Sequence, residues 1–130
     1  MPPFLRTKIS IPSARSNRLK RTRLVERIHA GMQRALALVV APAGFGKTTL
    51  IADWAQTASM PVAWLSLERT DHTPDRFLSY LIHTLQQISP KTGQTALAML
   101  HGGQAVTEEA ILFSLLNDLS EISQDFAIVL

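Results

Sequence analysis

The segment Ala41-Pro42-Ala43-Gly44-Phe45-Gly46-Lys47-Thr48-Thr49 constrains this 130-residue chain more than any other. It follows a short apolar run, Leu36-Ala37-Leu38-Val39-Val40, and opens a stretch from Lys47 to about Thr57 in which Leu50, Ile51 and Trp54 recur at helical spacing. A continuous apolar run that is short and β-branched at its end predicts a buried parallel strand. The two glycines therefore fall where a strand turns into a helix. In that context the pattern G-x-x-x-x-G-K-[ST] describes a cradle for phosphate. Only its first glycine is replaced here, by Ala41, a common substitution in such loops.

Each part of the segment has a physical task. Gly44 and Gly46 permit backbone angles that other residues resist and let the chain approach a ligand closely. The stretch Ala41, Pro42, Ala43, Gly44, Phe45 and Gly46 would wrap the phosphates with its N–H groups, and the following helix adds its positive end. Lys47 supplies a mobile charge for the β- and γ-phosphates. Thr48 offers a hydroxyl ligand to Mg²⁺, an ion that prefers oxygen. Thr49 can add a hydroxyl to the α-phosphate, and Phe45 reads as loop packing. The bland alternative is an ordinary turn before a helix. The strand before the loop and the amphipathic helix after it favour the phosphate reading. ATP with Mg²⁺ is the expected ligand, with ADP as its product state; the guanine-reading pattern Asn-Lys-x-Asp is absent. Hydrolysis needs in addition an acid at the end of another strand, so the expectation for this stretch is binding, with slow turnover confined to a longer protein.

Composition narrows the remaining classes. With 46% hydrophobic and 18% charged residues the chain reads as globular rather than disordered. It has no cysteine, which removes disulfides and thiolate metal sites. His29, His72, His83 and His101 are scattered without ligand spacing and read as surface or packing residues. No apolar run approaches the ~20 residues needed to span a bilayer. The Arg-rich N-terminus shares a bias with organelle transit peptides, but its Pro and Ser placement makes no amphipathic helix. A cytoplasmic protein without membrane contact is expected. Charge is unevenly spread: residues 1–34 hold nine Lys/Arg and one acid, Glu26, and the rest holds four Lys/Arg and nine acids. Such a basic arm could meet nucleic acid, a nucleotide, or the acidic body itself.

Residues 1–18, with Pro2, Pro3 and Pro12, predict an extended non-helical lead-in. Helices are expected at about Thr22–Met32, Lys47–Thr57, Asp75–Ile88, Gly93–Leu100 and from Thr107 onward. Phe77, Leu78, Leu81, Ile82 and Leu85 form the buried face of the third. In the last, Thr107 suits the N-cap, and Ile111, Leu112, Leu115, Leu116, Leu119 and Ile122 are its apolar residues. Val62–Leu67 and Phe126–Leu130 complete three strand candidates. This alternation predicts an α/β fold: a three-layer parallel sheet with helices on both faces, of the P-loop NTPase class, represented by its N-terminal part only. Residues 1–34 form the basic lead-in and short helix. Residues 35–130 form the N-terminal part of an ATP-binding domain, ending before the magnesium-binding (Walker B) acids.

Arg6-Thr7-Lys8-Ile9, Pro12, Arg21-Thr22-Arg23-Leu24, the loop through Leu50, Pro61-Val62-Ala63-Trp64-Leu65-Ser66-Leu67 and Asp75-Arg76-Phe77-Leu78-Ser79-Tyr80-Leu81-Ile82 together resemble the N-terminus of the large ATP-binding regulators of the LuxR type, the maltose-regulator-like signal-transduction ATPases related to the AAA+ group. The resemblance covers nearly the whole chain. It implies a nucleotide-binding domain followed by winged-helix, helical-repeat and helix-turn-helix parts, a resting ADP state, and self-association and promoter binding with ATP. DNA would then be contacted only through parts not in this sequence. The resemblance also implies a pair of aspartates after the third strand, one step beyond Leu130. Where the family often has an acidic pair after Ser-Leu, this chain has Glu68-Arg69. An Arg ahead of the first strand lies near base and ribose in related ATPases, and Arg21 matches that position. The family sheet places a later strand between the loop strand and the third strand; these 130 residues alone are therefore expected to be unstable or to associate through open edges.

Three function classes remain. The first is a nucleotide switch within a transcription regulator. The second is a fragment of another P-loop ATPase, a kinase or nucleic-acid-processing enzyme, or a truncated product without function. The third is a DNA-binding module using the basic arm, which lacks aromatic interleaving and a helix-turn-helix.

Overall fold

The computed structural model describes residues 5–12, 21–33, 44 and 46–130. They belong to two compact units, one of residues 1–10 and 60–130 and the other of residues 11–59. The expected strand Leu36–Val40 and Ala41, Pro42, Ala43 and Phe45 of the loop lie outside the described residues. What is described is a mixed α/β structure with five α-helices and a two-stranded parallel sheet.

The smaller unit contains α1 (Thr22–Gly31) and α2 (Lys47–Thr57), which pack on each other. Helix α1 starts at Arg21, whose carbonyl accepts the amides of Leu24 and Val25 at 3.0 Å each. None of its residues is fully buried. Helix α2 buries Leu50, Ala52 and Trp54, and closes where the Thr57 hydroxyl donates to the Trp54 carbonyl at 3.0 Å.

In the larger unit, β1 (Val62–Trp64) pairs in parallel with β2 (Ala127–Val129), Val62 opposite Ala127 and Trp64 opposite Val129. The strand expected to run to Leu67 is thus shorter. Leu65 still donates to the Val129 carbonyl at 2.9 Å, but the Ser66 amide turns to the carbonyl of Lys8 at 2.7 Å. Helix α3 (Pro74–Gln86) starts with Pro74 at its first turn, where the missing N–H costs nothing, and Asp75 beside the positive helix end. Leu78, Ile82 and Leu85 lie on one side of it and meet Ala96 of α4 (Gln94–His101) and Ile111 and Leu115 of α5 (Glu108–Ser120). Buried Thr84 satisfies its hydroxyl on the Tyr80 carbonyl at 2.8 Å. Gly93, with φ of 76°, starts α4 so close to α3 that a Cβ there would meet Ile82 Cγ2 at 2.6 Å. Thr107 caps α5 as expected, accepting from the Ala110 amide at 3.2 Å.

In α5 only Ile111 and Leu115 are buried; Leu112 and Leu116 face solvent. One expectation is corrected. The lead-in is not wholly extended, since Arg6–Ile9 forms a 3₁₀ turn with Lys8 and Ile9 buried. Lys8 is held there by charge. Its ammonium pairs with the buried carboxylate of Asp71, which also accepts from Arg76 Nε at 2.7 Å and from the Glu68 amide at 2.8 Å. Lys8 Nζ lies 5.0 Å from the centroid of the Tyr80 ring, and the Tyr80 hydroxyl accepts the Leu5 amide at 3.2 Å. Of the three partners open to the basic arm, this lysine has taken the acidic body.

Burial pushes the Asp71 carboxyl up, but the hydrogen bonds from Lys8, Arg76 and the Glu68 amide outweigh it and lower its pKa from 3.8 to about 2. A carboxyl held lower in the folded than in the unfolded chain stabilises the fold above pH ~4 and loses that contribution as pH falls towards 2. Urea midpoints are therefore expected to hold steady, as far as this group is concerned, from pH 7 to 5 and to fall between pH 4 and 2. Asp71→Asn should flatten that fall, and an unchanged acid limb in this variant would contradict the assignment.

Candidate phosphate-binding site

Of the ten residues proposed from sequence, Arg21, Gly44, Gly46, Lys47, Thr48 and Thr49 are described, and all six lie in the smaller unit. Gly44 and Gly46 both have positive φ, 89° and 75°. For an L side chain this left-handed region costs roughly 1–2 kcal/mol, so glycine at both positions is the sequence's answer to the backbone. Gly46 is the N-cap of α2 and its carbonyl accepts the Leu50 amide at 2.9 Å.

The helix end that follows is set up for an anion. The first amides of an α-helix have no acceptor within the helix and carry a partial positive charge. Gly46 offers no side-chain cap, and the first turn contains no acidic residue to occupy that end. Lys47 and Thr49 are half-buried, and Thr48 is exposed. Among the described residues, no heavy atom lies within 4 Å of where a Cβ on Gly44 would stand. These features fit a magnesium nucleotide: donors and a cation at one helix end and a hydroxyl for the ion. Among the described residues no group of three or more His, Cys, Asp or Glu could hold a metal on its own. No helix among them is long and apolar enough to cross a membrane.

Arg21 lies at the same place. A Cβ added to Gly46 would stand 2.9 Å from Arg21 Nη2 and 3.4 Å from Cζ, so the guanidinium covers the glycine. Gly46 is required by its backbone angle, whereas the guanidinium, at the far end of a flexible side chain, could move aside from a Cβ. Beyond Arg21 opens a cavity of about 220 Å³ lined also by Thr22, Val25, Asp53, Gln56 and Thr57. It falls short of the roughly 300 Å³ at which ligand pockets begin, so it does not by itself enclose a nucleotide. Asp53 and Gln56 carried no signal in the sequence; they are polar residues on the outer side of α2 that only the packing of α1 brings to Arg21.

The sequence has relatives among two kinds of large protein. It is 36% identical over 124 residues to the HTH-type transcriptional regulator MalT of Serratia proteamaculans, covering 95% of this chain and 14% of the relative. To the same regulator of Cronobacter sakazakii it is 41% identical over 81 residues, 62% of this chain and 9% of the relative. To the serine/threonine-protein kinase PknK of Mycobacterium tuberculosis it is 32% identical over 134 residues, 99% of this chain and 12% of the relative. The chain therefore spans at most about one seventh of the length of these relatives. No protein-family model matches it.

Proposed function

We infer that this chain is the ATP-binding part of a multidomain regulator of the LuxR type, acting as a nucleotide-dependent switch. The observation that carries the reading is the helix end at Gly46. A left-handed glycine that makes no side-chain cap, an acid-free first turn, and the side chains of Lys47, Thr48 and Thr49 stand together, with the Arg21 guanidinium alongside. The loop amides and Lys47 would hold the phosphates, Thr48 would supply a ligand to Mg²⁺, and Arg21 would lie towards the sugar and base. Magnesium would neutralise charge between phosphates; the chain's own residues bind and orient. The relatives support a switch rather than a dedicated enzyme. A region common to a transcriptional regulator and a protein kinase is not the part in which their named activities differ.

Calorimetric titration of MgATP and MgADP into the chain tests this. Saturable one-to-one binding, displaced by inorganic triphosphate, is expected; no heat at millimolar nucleotide would end the reading. Arg21→Ala is expected to weaken MgATP by about tenfold, the worth of one charge-assisted contact, while inorganic triphosphate loses less. Equal losses for both ligands would move Arg21 from the nucleoside to the phosphates.

A further inference from the structure

Helix α5 is apolar on two sides. Ile111 and Leu115 enter the core of the larger unit. Leu112 is 42% exposed, Phe113 69% and Leu116 62%. These outward residues form a continuous strip. Glu109, Leu112, Phe113, Leu116, Asn117 and Ser120 are all exposed, and their spacing is that of a single helix face. A helix needs one apolar face to pack in its own domain. Single exposed apolar residues are ordinary, but a contiguous group with a phenyl ring at its centre marks a surface of contact.

Charge selects what meets it. From Thr92 to Leu130 the chain has five acids, Glu108, Glu109, Asp118, Glu121 and Asp125, and no Lys or Arg. Asp118 is engaged at its own loop, accepting the Gly93 amide at 2.8 Å. Glu108 and Glu109 stand exposed at the start of α5, and Glu121 stands exposed at its end. A second copy laid on the same strip would set these acids against themselves, because a two-fold contact pairs a patch with its own image. We propose that the Leu112–Phe113–Leu116 face of α5 docks an amphipathic helix of a partner protein whose apolar stripe is flanked by Lys or Arg. Leu112 and Leu116, one turn apart, form the ridge such a helix packs against, and Phe113 is the aromatic anchor. Acids at both ends of the strip ask for basic residues at both ends of the partner stripe.

The test uses a fluorescein-labelled peptide of leucine and lysine in helical period, titrated with the whole chain and followed by anisotropy. Saturable binding that weakens as salt rises is expected. The double variant Phe113→Ser/Leu116→Gln should bind at least about tenfold more weakly. Both side chains are exposed, so its far-UV circular dichroism and urea midpoint should match wild type. The charge variant Glu109→Lys/Glu121→Lys should reverse the salt dependence with the apolar face intact. Equal binding by wild type and the Phe113/Leu116 variant would overturn the proposal. So would equal binding of a leucine–glutamate peptide with the same apolar pattern. A wild-type dimer in sedimentation velocity that the Phe113/Leu116 variant abolishes would give the face to a second copy and overturn it as well.

Discussion

Lys47→Ala is expected to weaken MgATP between about tenfold and a hundredfold. A hydrogen bond between a charged donor and a charged acceptor contributes about 1.5–3 kcal/mol, and each 1.4 kcal/mol is a factor of ten in affinity. The substitution leaves the scaffold alone. Alanine is the best helix former, and Lys47 is the first residue of α2, ahead of the buried Leu50, Ala52 and Trp54. Loss of affinity without loss of helix content would therefore report the ammonium group itself. Equal MgATP affinity in wild type and variant would remove the ammonium from the site, and with it the switch.

Asp71→Ala is expected to cost about 3–5 kcal/mol of folding stability, measured by urea denaturation at pH 7. The size follows from what is left behind. Lys8, with a side chain only 3% exposed, would be left in the interior with its buried partner gone. Removing one member of a buried ion pair leaves the other uncompensated. Arg76, 25% exposed, can turn to water, and Glu68 at 62% is too far into solvent to replace Asp71, although it lies 3.8 Å from the ammonium. The companion variant Lys8→Met/Asp71→Asn should recover more than half of the loss. It removes the stranded charge, and the asparagine oxygen can still accept the Glu68 amide. A loss below about 1 kcal/mol for Asp71→Ala would show that the pair is solvated and the lead-in only loosely held.

Much of the helical framework was legible because its punctuation is local. Helix α2 spans Lys47–Thr57 as its apolar spacing required, and α1 and α3 end within a turn of the expected limits. Pro74 and Gly93 act through their own backbones and Thr107 through a hydroxyl that reaches only the next turn, so no distant partner is needed to read them. Faces are harder. With Ile111, Leu112, Leu115, Leu116 and Leu119 on one helix, periodicity finds two apolar stripes and cannot say which of them the core takes. The Lys8–Asp71 pair was invisible, since it joins residues 63 positions apart and the lysine sits in a segment whose prolines suggested an open arm. Of the phosphate loop, the backbone demands at Gly44 and Gly46 and the following turn were readable from residue type alone. Family likeness placed Arg21 near base and ribose, and nothing in the sequence placed it over Gly46; the polar lining at Asp53 and Gln56 depends on how two helices cross.

The pairing of Val62 with Ala127 has a kinetic consequence. All of α3, α4 and α5 lie between the two strands, so the ladder is a contact of high sequence separation, and the entropy of closing that length must be met before its hydrogen bonds form. The helices, whose contacts are nearer neighbours in the chain, are free to assemble first and shorten the search. During synthesis β1 leaves the ribosome long before its mate exists, and until then its edge is open to any other strand.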